Sequence, residues 1–514
     1  MKVVKSLLLG TAAGLIAVGG VQAADLPVKA RAVEYVKICT LYGAGFYYIP
    51  GTDTCIKLGG YLRAEVALNA GGNYNGAYSS VAAANNRLTN YYSARAREDL
   101  NIDTRTATEY GVVRTYFDAV FTWTTDTYTG TGTGTGATPG ATVYSQLGNT
   151  GVSAPNNASS GTISGGQLGV YYAFIQFAGF TMGKAVSQFD APWVNYPGNN
   201  FDQLVGGSGT TNGVNQFTYT ADFGQGVTAT VSAQDQALSF QTNIWNTGGM
   251  STTGVLGGAY GSNNFGGTRS PDIVGAVRVD QAWGLFQASV AAHDNHVGYY
   301  GATEATGHPE DKWGWAVQLA LSIKNIPTGA GDVINISGVY TDGASRYNFQ
   351  ELAATSYSMF GSSNVAYQSI GFAGVSDAVY GRDGQLELTK TYGFRGAYTH
   401  NWNPNWNTAL YGAWAAVNYS GTAKGLICGS DAFKSLTGTC NPDFNIGQVG
   451  VITRWIPVKN LTFSADFTYS HLDQRYSGVI TTTGAMTGVA KPAATYELKD
   501  QDTYSLLLRA QRNW

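Results

Sequence analysis

Leu461-Thr462-Phe463-Ser464-Ala465-Asp466-Phe467-Thr468-Tyr469-Ser470 alternates apolar and polar side chains without a break. A period of two puts Leu461, Phe463, Ala465, Phe467 and Tyr469 on one face of a β-strand and Thr462, Ser464, Asp466, Thr468 and Ser470 on the other. The pattern recurs along the chain. Phe217, Tyr219, Ala221 and Phe223 alternate with Gln216, Thr218, Thr220 and Asp222, and Val227, Ala229 and Val231 oppose Thr228, Thr230 and Ser232. Trp313, Trp315, Val317, Leu319 and Leu321 face away from Lys312, Gly314, Gln318 and Ser322, and Ile273, Val277 and Val279 face away from Arg278. Such segments number sixteen, beginning near residues 56, 91, 110, 167, 180, 214, 227, 272, 284, 312, 332, 386, 406, 447, 460 and 501. Tight turns such as Phe223-Gly224-Gln225-Gly226 and Asn403-Pro404-Asn405 alternate with long Gly/Asn/Ser/Thr-rich connections, the longest near 124–166, 236–270 and 342–385. The Thr-Gly repeat at 129–136 lacks a following Gly-Lys-Ser/Thr, so it reads as flexible surface loop rather than a phosphate cradle.

Alternation alone does not say what each face meets, because a soluble sandwich alternates too. Composition narrows the choice. The 514 residues carry 68 Gly, 33 Tyr and 11 Trp but only 12% charged side chains, against about a quarter charged and roughly 7% Gly in an ordinary soluble protein. Bulk disorder is excluded by 44% hydrophobic residues. A net charge of −3 supplies no general attraction to nucleic acid. A mean hydropathy of −0.11 argues against a bundle of membrane helices. What fits is a closed transmembrane barrel, which needs a greasy exterior, aromatic girdles, a polar interior, and short turns at one end with long loops at the other. Closure satisfies every backbone group in lipid, and sixteen strands leave room for water inside. Tyr504, Leu506, Leu508 and Ala510 share one face of the last strand before Trp514, with Arg512 interrupting that face.

Before the barrel, Lys2 and Lys5 precede an apolar run from Leu7 to about Gly20 and the small-residue site Val21-Gln22-Ala23, so 1–23 reads as a secretory signal peptide. An N-terminal segment, 24–55, carries one close cysteine pair, Cys39 with Cys55; the second pair is Cys428 with Cys440. In an oxidising compartment local pairing is the natural expectation, although four cysteines allow three connectivities. No C-x-x-C occurs, and His293, His296, His308, His400 and His471 do not stand at ligand spacing to the cysteines, so no metal site or cofactor is expected. His293 and His296, at a strand end, read as solvated loop-mouth residues.

The segment Ile38-Cys39-Thr40-Leu41-Tyr42-Gly43-Ala44-Gly45-Phe46-Tyr47-Tyr48-Ile49-Pro50-Gly51-Thr52-Asp53-Thr54-Cys55-Ile56-Lys57-Leu58-Gly59-Gly60-Tyr61-Leu62-Arg63 resembles the N-terminal signature of the alphaproteobacterial general porins. The resemblance extends through the strand-turn pattern over the rest of the chain, least so in the long loops. It implies an outer-membrane barrel over 56–514, associated as a homotrimer, surrounded by outer-membrane lipid and passing small hydrophilic solutes and ions passively. It also implies that the third long connection, about 187–213, folds inward and narrows the pore.

Alternation assigns the wall of that pore. The first strand turns Lys57, Tyr61, Arg63, Glu65 and Asn69 inward; the second turns Arg95, Arg97, Asp99, Asn101, Asp103 and Arg105 inward; the third turns Arg114, Tyr116 and Asp118 inward. Counting from the chain ends places Arg63, Arg95, Arg97 and Arg114 near mid-height, and Lys57 and Arg105 nearer the periplasmic mouth, with Glu65, Asp99 and Asp118 offsetting the basic charge. By the resemblance, Asp190 and Asp202 of the third connection face this arginine wall across a constriction and set up a transverse field that filters ions by charge.

Two other function classes compete. A barrel enzyme needs a positioned nucleophile and base, yet no Gly-x-Ser-x-Gly elbow occurs, and Ser470 and His471 are strand neighbours that point to opposite faces. No catalytic residue is therefore assigned. A secreted all-β adhesin would be released without detergent and would have no use for two aromatic belts.

Overall fold

The computed structural model describes residues 37–69, 85–87, 91–124, 162–163, 166–202, 204–236, 241–257, 265–349, 356–381, 384–486 and 489–514. The expected signal peptide and the Thr-Gly repeat lie outside the described residues. Sixteen antiparallel strands form the barrel: β1 Thr54–Leu68, β2 Tyr92–Thr108, β3 Gly111–Thr124, β4 Gly166–Phe177, β5 Phe180–Ala185, β6 Val214–Asp222, β7 Val227–Gln234, β8 Asp272–Gln281, β9 Gly284–Asn295, β10 Lys312–Lys324, β11 Val333–Asp342, β12 Lys390–Asn403, β13 Trp406–Asn418, β14 Phe444–Val458, β15 Leu461–Gln474 and β16 Gln501–Asn513. Each pairs with the next, and β1 closes on β16 from Tyr61↔Asn513 to Leu68↔Leu506. Among the described residues no barrel strand is left with an open edge, which is the condition for a sheet to sit in hydrocarbon.

The faces follow the alternation. Leu58, Leu62, Phe217, Tyr219, Val231, Val277, Trp313, Leu319, Phe394, Leu410, Val449, Phe467 and Leu508 all stand exposed on the exterior. An apolar belt of this extent has no place on a soluble monomer. At the short-turn end, Trp406 stacks on Trp455 (6.0 Å between centroids) and Trp455 on Phe463 (5.5 Å). At the long-loop end, Trp313, Trp315, Tyr392 and Tyr504 are also exposed. These are the two interfacial girdles.

The long connections hold more structure than their composition suggests. Ser356–Gly361, Gln368–Gly374, Thr437–Thr439, Ser477–Thr481 and Thr495–Leu498 form a five-stranded sheet of their own, and Ile244–Asn246, Ala378–Tyr380 and Glu387–Leu388 form a three-stranded one. Helix α1, Gly421–Cys428, is capped by Ser420, whose side chain accepts from the Ala423 amide, and leads into the Cys428–Cys440 disulfide. These pieces make an outer body at the loop end. Its apolar core, including Trp245, Tyr357, Phe372, Phe433 and Tyr476, is continuous with Phe201, Leu204 and Val205 of the 186–213 connection and with inward Ala397, Ala409, Ala413 and Ala415 of β12 and β13.

Burial varies over the interior. Inward Gln287, Ser289, Ala316, Gln318, Ala413, Ile446, Asp466 and Leu507 are buried, whereas Tyr61, Arg63, Arg97, Arg114, Tyr116, Tyr172 and Phe174 on β1–β4 are only partly so. Arg278, Asn335, Arg454 and Arg509 on other strands also keep part of their surface accessible. Near the short-turn end a small hairpin pairs Tyr47–Tyr48 with Ile56 and Cys55, fastened by the Cys39–Cys55 disulfide.

Candidate functional site

The connection between β5 and β6 folds into the barrel. Its base is stapled by Asp190, which accepts from the Ser208 hydroxyl (2.6 Å), the Thr210 amide (2.6 Å) and the Thr210 hydroxyl (2.7 Å). The loop then runs across the inner wall, taking a hydrogen bond from strand after strand: Gln287 Nε2 to Asp190 O (2.8 Å), Gln318 Nε2 to Phe189 O (2.8 Å), Asn335 Nδ2 to Pro197 O (2.7 Å) and Arg454 to Gly198 O (2.6 Å). On the far side the Asn200 amide donates to Asp466 (2.6 Å), Asn200 Nδ2 to Ser464 (2.7 Å) and the Val205 amide to Gln448 (3.0 Å). Arg395 of β12, 1% exposed, reaches over the returning limb and donates to Val194 O (2.8 Å), Leu204 O (3.3 Å), Asn195 Oδ1 (3.4 Å) and Ser208 O. The chain passes so close here that a Cβ at Gly207 would stand 2.8 Å from Arg395 Nε, and Gly206, at φ +84°, would put one 2.2 Å from Phe394 O.

At the tip, Asp202 meets Arg95 of β2 at 2.8 Å. Arg95 also pairs with Glu65 of β1, and Glu65 accepts from Arg509 of β16 at 2.5 Å. Tyr196 donates its hydroxyl to Asp202 at 3.0 Å, and Asn195 Nδ2 donates to Asp202 O. Burial pushes the Asp202 carboxyl up, but Arg95 and Arg97 beside it outweigh that and hold it below the ordinary aspartate value. Asp190 is the converse: burial raises it despite its hydrogen bonds from Ser208 and Thr210. Immediately towards the short-turn end, Arg63 and Arg97 stand directly opposite each other across the β1–β2 ladder. Arg63 Nε donates to Gln511 Oε1 (2.8 Å) and its guanidinium lies 4.5 Å from the Tyr61 ring. Arg97 Nε donates to Thr122 (3.2 Å), and its guanidinium is 5.9 Å from the Tyr171 ring. Tyr171 is there because of a bulge: Asp118 pairs with Tyr172 and Ala119 with Val170, so Tyr171 is the extra residue that the ladder skips.

The sequence expectations meet this geometry unevenly. Asp202 does reach the arginine wall, though in contact with Arg95 rather than across an aqueous gap. Asp190 does not: at 1% exposure it ties the loop's own ends together, because a carboxylate flanked by Ser208 and Thr210 is better satisfied there than in the passage. Arg114 is not at mid-height. It is the fourth residue of β3 and pairs with Arg105, which places both near the short-turn end with Asp103 between them (3.0 Å and 2.9 Å). Asp103, rather than Asp99 or Asp118, is thus the acid that meets these arginines; Asp99 accepts from Asn101 (3.1 Å), and both Asp99 and Asp118 are buried against the wall. Lys57 extends over the Phe46 ring of the N-terminal hairpin (5.9 Å), which also receives Arg105 (4.9 Å). His293 is not solvated. It is fully buried, with Asp272 at 2.9 Å and Asp377 at 3.6 Å, while His296 pairs with Asp311. Both cysteine pairs are bonded locally.

A sequence profile described as the Porin subfamily matches residues 25–507 of this chain. The chain belongs to the porin family. Porin Omp2b of Brucella suis is 31% identical to this porin over 299 residues, spanning 57% of this chain and 66% of the Brucella protein. Porin Omp2b of Brucella canis matches over the same shares at the same identity, so in both cases the match spans just under two thirds of the relative's length. Among solved structures, the outer membrane channel DcaP of Acinetobacter baumannii is similar in fold, with a TM-score of 0.54 at 15% identity over 91% of this chain and 99% of that one.

Several residues that shape this porin's interior escape a reading of the sequence. Alternation puts Arg395, Gln448, Arg454, Asp466 and Arg509 on inward faces, but nothing local says that they grip a loop 190 to 310 residues away in sequence. Tyr171 falls on the wrong face in a regular strand and is turned inward only by the bulge.

Proposed function

We propose that this porin forms a water-filled channel across the bacterial outer membrane, through which small hydrophilic solutes and ions diffuse passively, with anions favoured at the narrowest point. The observation that carries the reading is a closed, apolar-belted barrel whose interior is narrowed from one side by an inward loop, leaving partly exposed arginines along β1 and β2. Of Arg63, Arg95, Arg97 and Arg509 around the constriction, Arg95 and Arg509 form ion pairs, among the described residues, with Glu65 and Asp202, while Asp99 and Asp466 act on Arg63, Arg97 and Arg509 from further off. Arg63 and Arg97 keep part of their surface accessible and have no ion pair among the described residues, their charge offset only in part by Asp99. Fixed positive charge lining a narrow passage lowers the energy of an anion there and raises that of a cation.

The proposal extends to removal of residues 1–23 on export and, from the resemblance to alphaproteobacterial porins, to a homotrimer. No catalytic step is assigned to any side chain. Single-channel recording of the detergent-extracted protein in a planar lipid bilayer tests the reading. Stepwise insertion of ohmic channels, with a reversal potential in a KCl gradient on the chloride side of zero, is expected. Folded protein that inserts and conducts nothing overturns the channel, and a potassium-side reversal potential overturns the anion preference.

A further inference from the structure

Two guanidinium groups placed directly opposite each other on one face of an antiparallel ladder repel, and such pairs normally carry a carboxylate between them. Among the described residues Arg63 and Arg97 form no ion pair, and Asp99, the next inward residue of β2, acts on both only from a distance. Arg63 spends its Nε on Gln511 and Arg97 its Nε on Thr122, and the four terminal amino groups of the two side chains make no hydrogen bond to the protein among the described residues. Nearby arginines differ: Arg95 is engaged by Glu65 and Asp202, and Arg114 by Asp103 and Gln176. The two uncommitted forks keep part of their surface accessible on the inward face.

Each is also backed by a ring. Tyr61 lies 4.5 Å from the Arg63 guanidinium, and the bulge in β4 brings Tyr171 to 5.9 Å from that of Arg97. Below them, on the same wall, Tyr116 is 6.3 Å from Tyr172 and 5.4 Å from Phe174, with Arg114 over both Tyr116 and Phe174. A stacked guanidinium offers its N–H edge and its free face to a ligand, which suits a flat, delocalised anion better than a puckered one.

We infer that Arg63, Arg97, Tyr61 and Tyr171 form a solute-binding site for carboxylates carried on a planar aromatic ring, the carboxylate bridging the two guanidinium groups and the ring lying among the tyrosines. The site deepens the channel reading and rests on it. A simple inorganic anion would satisfy the charge, but it would make no use of the rings, and a neutral sugar would make no use of the unmatched charge.

The test compares two acids of equal charge and similar size, benzoate and cyclohexanecarboxylate, as permeant or blocking anions on the native protein in planar bilayers. Benzoate is expected to block chloride current at about three- to tenfold lower concentration than cyclohexanecarboxylate, the range set by ring-stacking preferences. Tyr61→Leu with Tyr171→Leu brings that ratio towards one, while Tyr61→Phe with Tyr171→Phe, which keeps the rings, retains it. Arg63→Gln with Arg97→Gln weakens both acids together. Equal potency of the two acids on the native channel overturns the aromatic site, as does a ratio that survives the leucine pair. Absence of any conductance is a different result: it removes the channel itself.

Discussion

Replacing Arg395 by methionine isolates the part played by the inner-wall clamp on the constricting loop. Methionine fills a similar hydrophobic volume but donates nothing. The two short contacts, to Val194 O and Ser208 O, leave buried carbonyls without their donor, at about 1–3 kcal/mol each; those to Leu204 O and Asn195 Oδ1, at 3.3 and 3.4 Å, are long and add little. Against this, the substitution no longer buries a guanidinium, which returns part of the cost. A net weakening of about 3 kcal/mol for the limb between Val194 and Ser208 follows, equivalent to about a hundredfold increase in its open population. The loop does not leave the barrel, because the Asn200 contacts to Asp466 and Ser464 and the Asp202 contact to Arg95 persist. Hydrogen exchange read by mass spectrometry should show about a hundredfold loss of protection in amides of 194–208 with β12–β15 unchanged, and single-channel traces should become noisier. Protection that stays within about threefold of the parent refutes the clamp.

Neutralising Arg63 and Arg97 to glutamine should shift the reversal potential towards cations, changing the chloride-to-potassium permeability ratio about tenfold after screening; an unchanged potential removes their role in selectivity. Arg114→Gln, whose charge already faces Asp103 near the short-turn end, should change that ratio by less than about twofold, and a shift as large as that of Arg97→Gln would contradict the placement. Asp202 titrates below its ordinary value in the folded protein, so its pairing stabilises the loop above about pH 3.9 and that contribution is lost only as pH falls through the lower folded value. Exchange protection of the loop tip should therefore persist through the ordinary aspartate range and fail below it, whereas loosening centred at or above that range is inconsistent with the Arg95 contact. Cys428→Ser with Cys440→Ser should weaken the outer body by about 3 kcal/mol, seen as faster proteolysis within 419–443; equal cleavage rates would show that the crosslink adds nothing.

The barrel was legible because lipid and water impose their demands residue by residue. Each strand must show hydrocarbon on one side and polar groups on the other, so ten residues carry enough information to be read alone, and β6, β7, β8, β9, β10, β13 and β16 begin at the positions that alternation assigns. What failed was non-local. The outer five-stranded sheet pairs Gln368 with Tyr496 and Gly438 with Gly478, contacts between loops that share no period and read separately as Gly/Ser-rich coil. Counting along the strand places Arg114 too high although the strand start near residue 110 is correct: with β3 beginning at Gly111, Arg114 is its fourth residue and already lies near the short-turn end. Asp190 and Asp202 are the same residue type on the same loop, and their opposite fates are decided by Ser208, Thr210 and Arg95, which the sequence places up to 107 residues away.

The apolar core that joins Phe201, Leu204 and Val205 to Phe372, Tyr419 and Tyr476 couples two properties that selection acts on separately. Surface loops of an envelope protein drift under pressure from whatever binds the cell, whereas a bore is held constant by what the cell must take up. Here the outer loops and the bore share side-chain packing, so a change in the loop-end core repacks the throat as well. Substitutions at outer positions clear of that core are expected to leave the throat as it is.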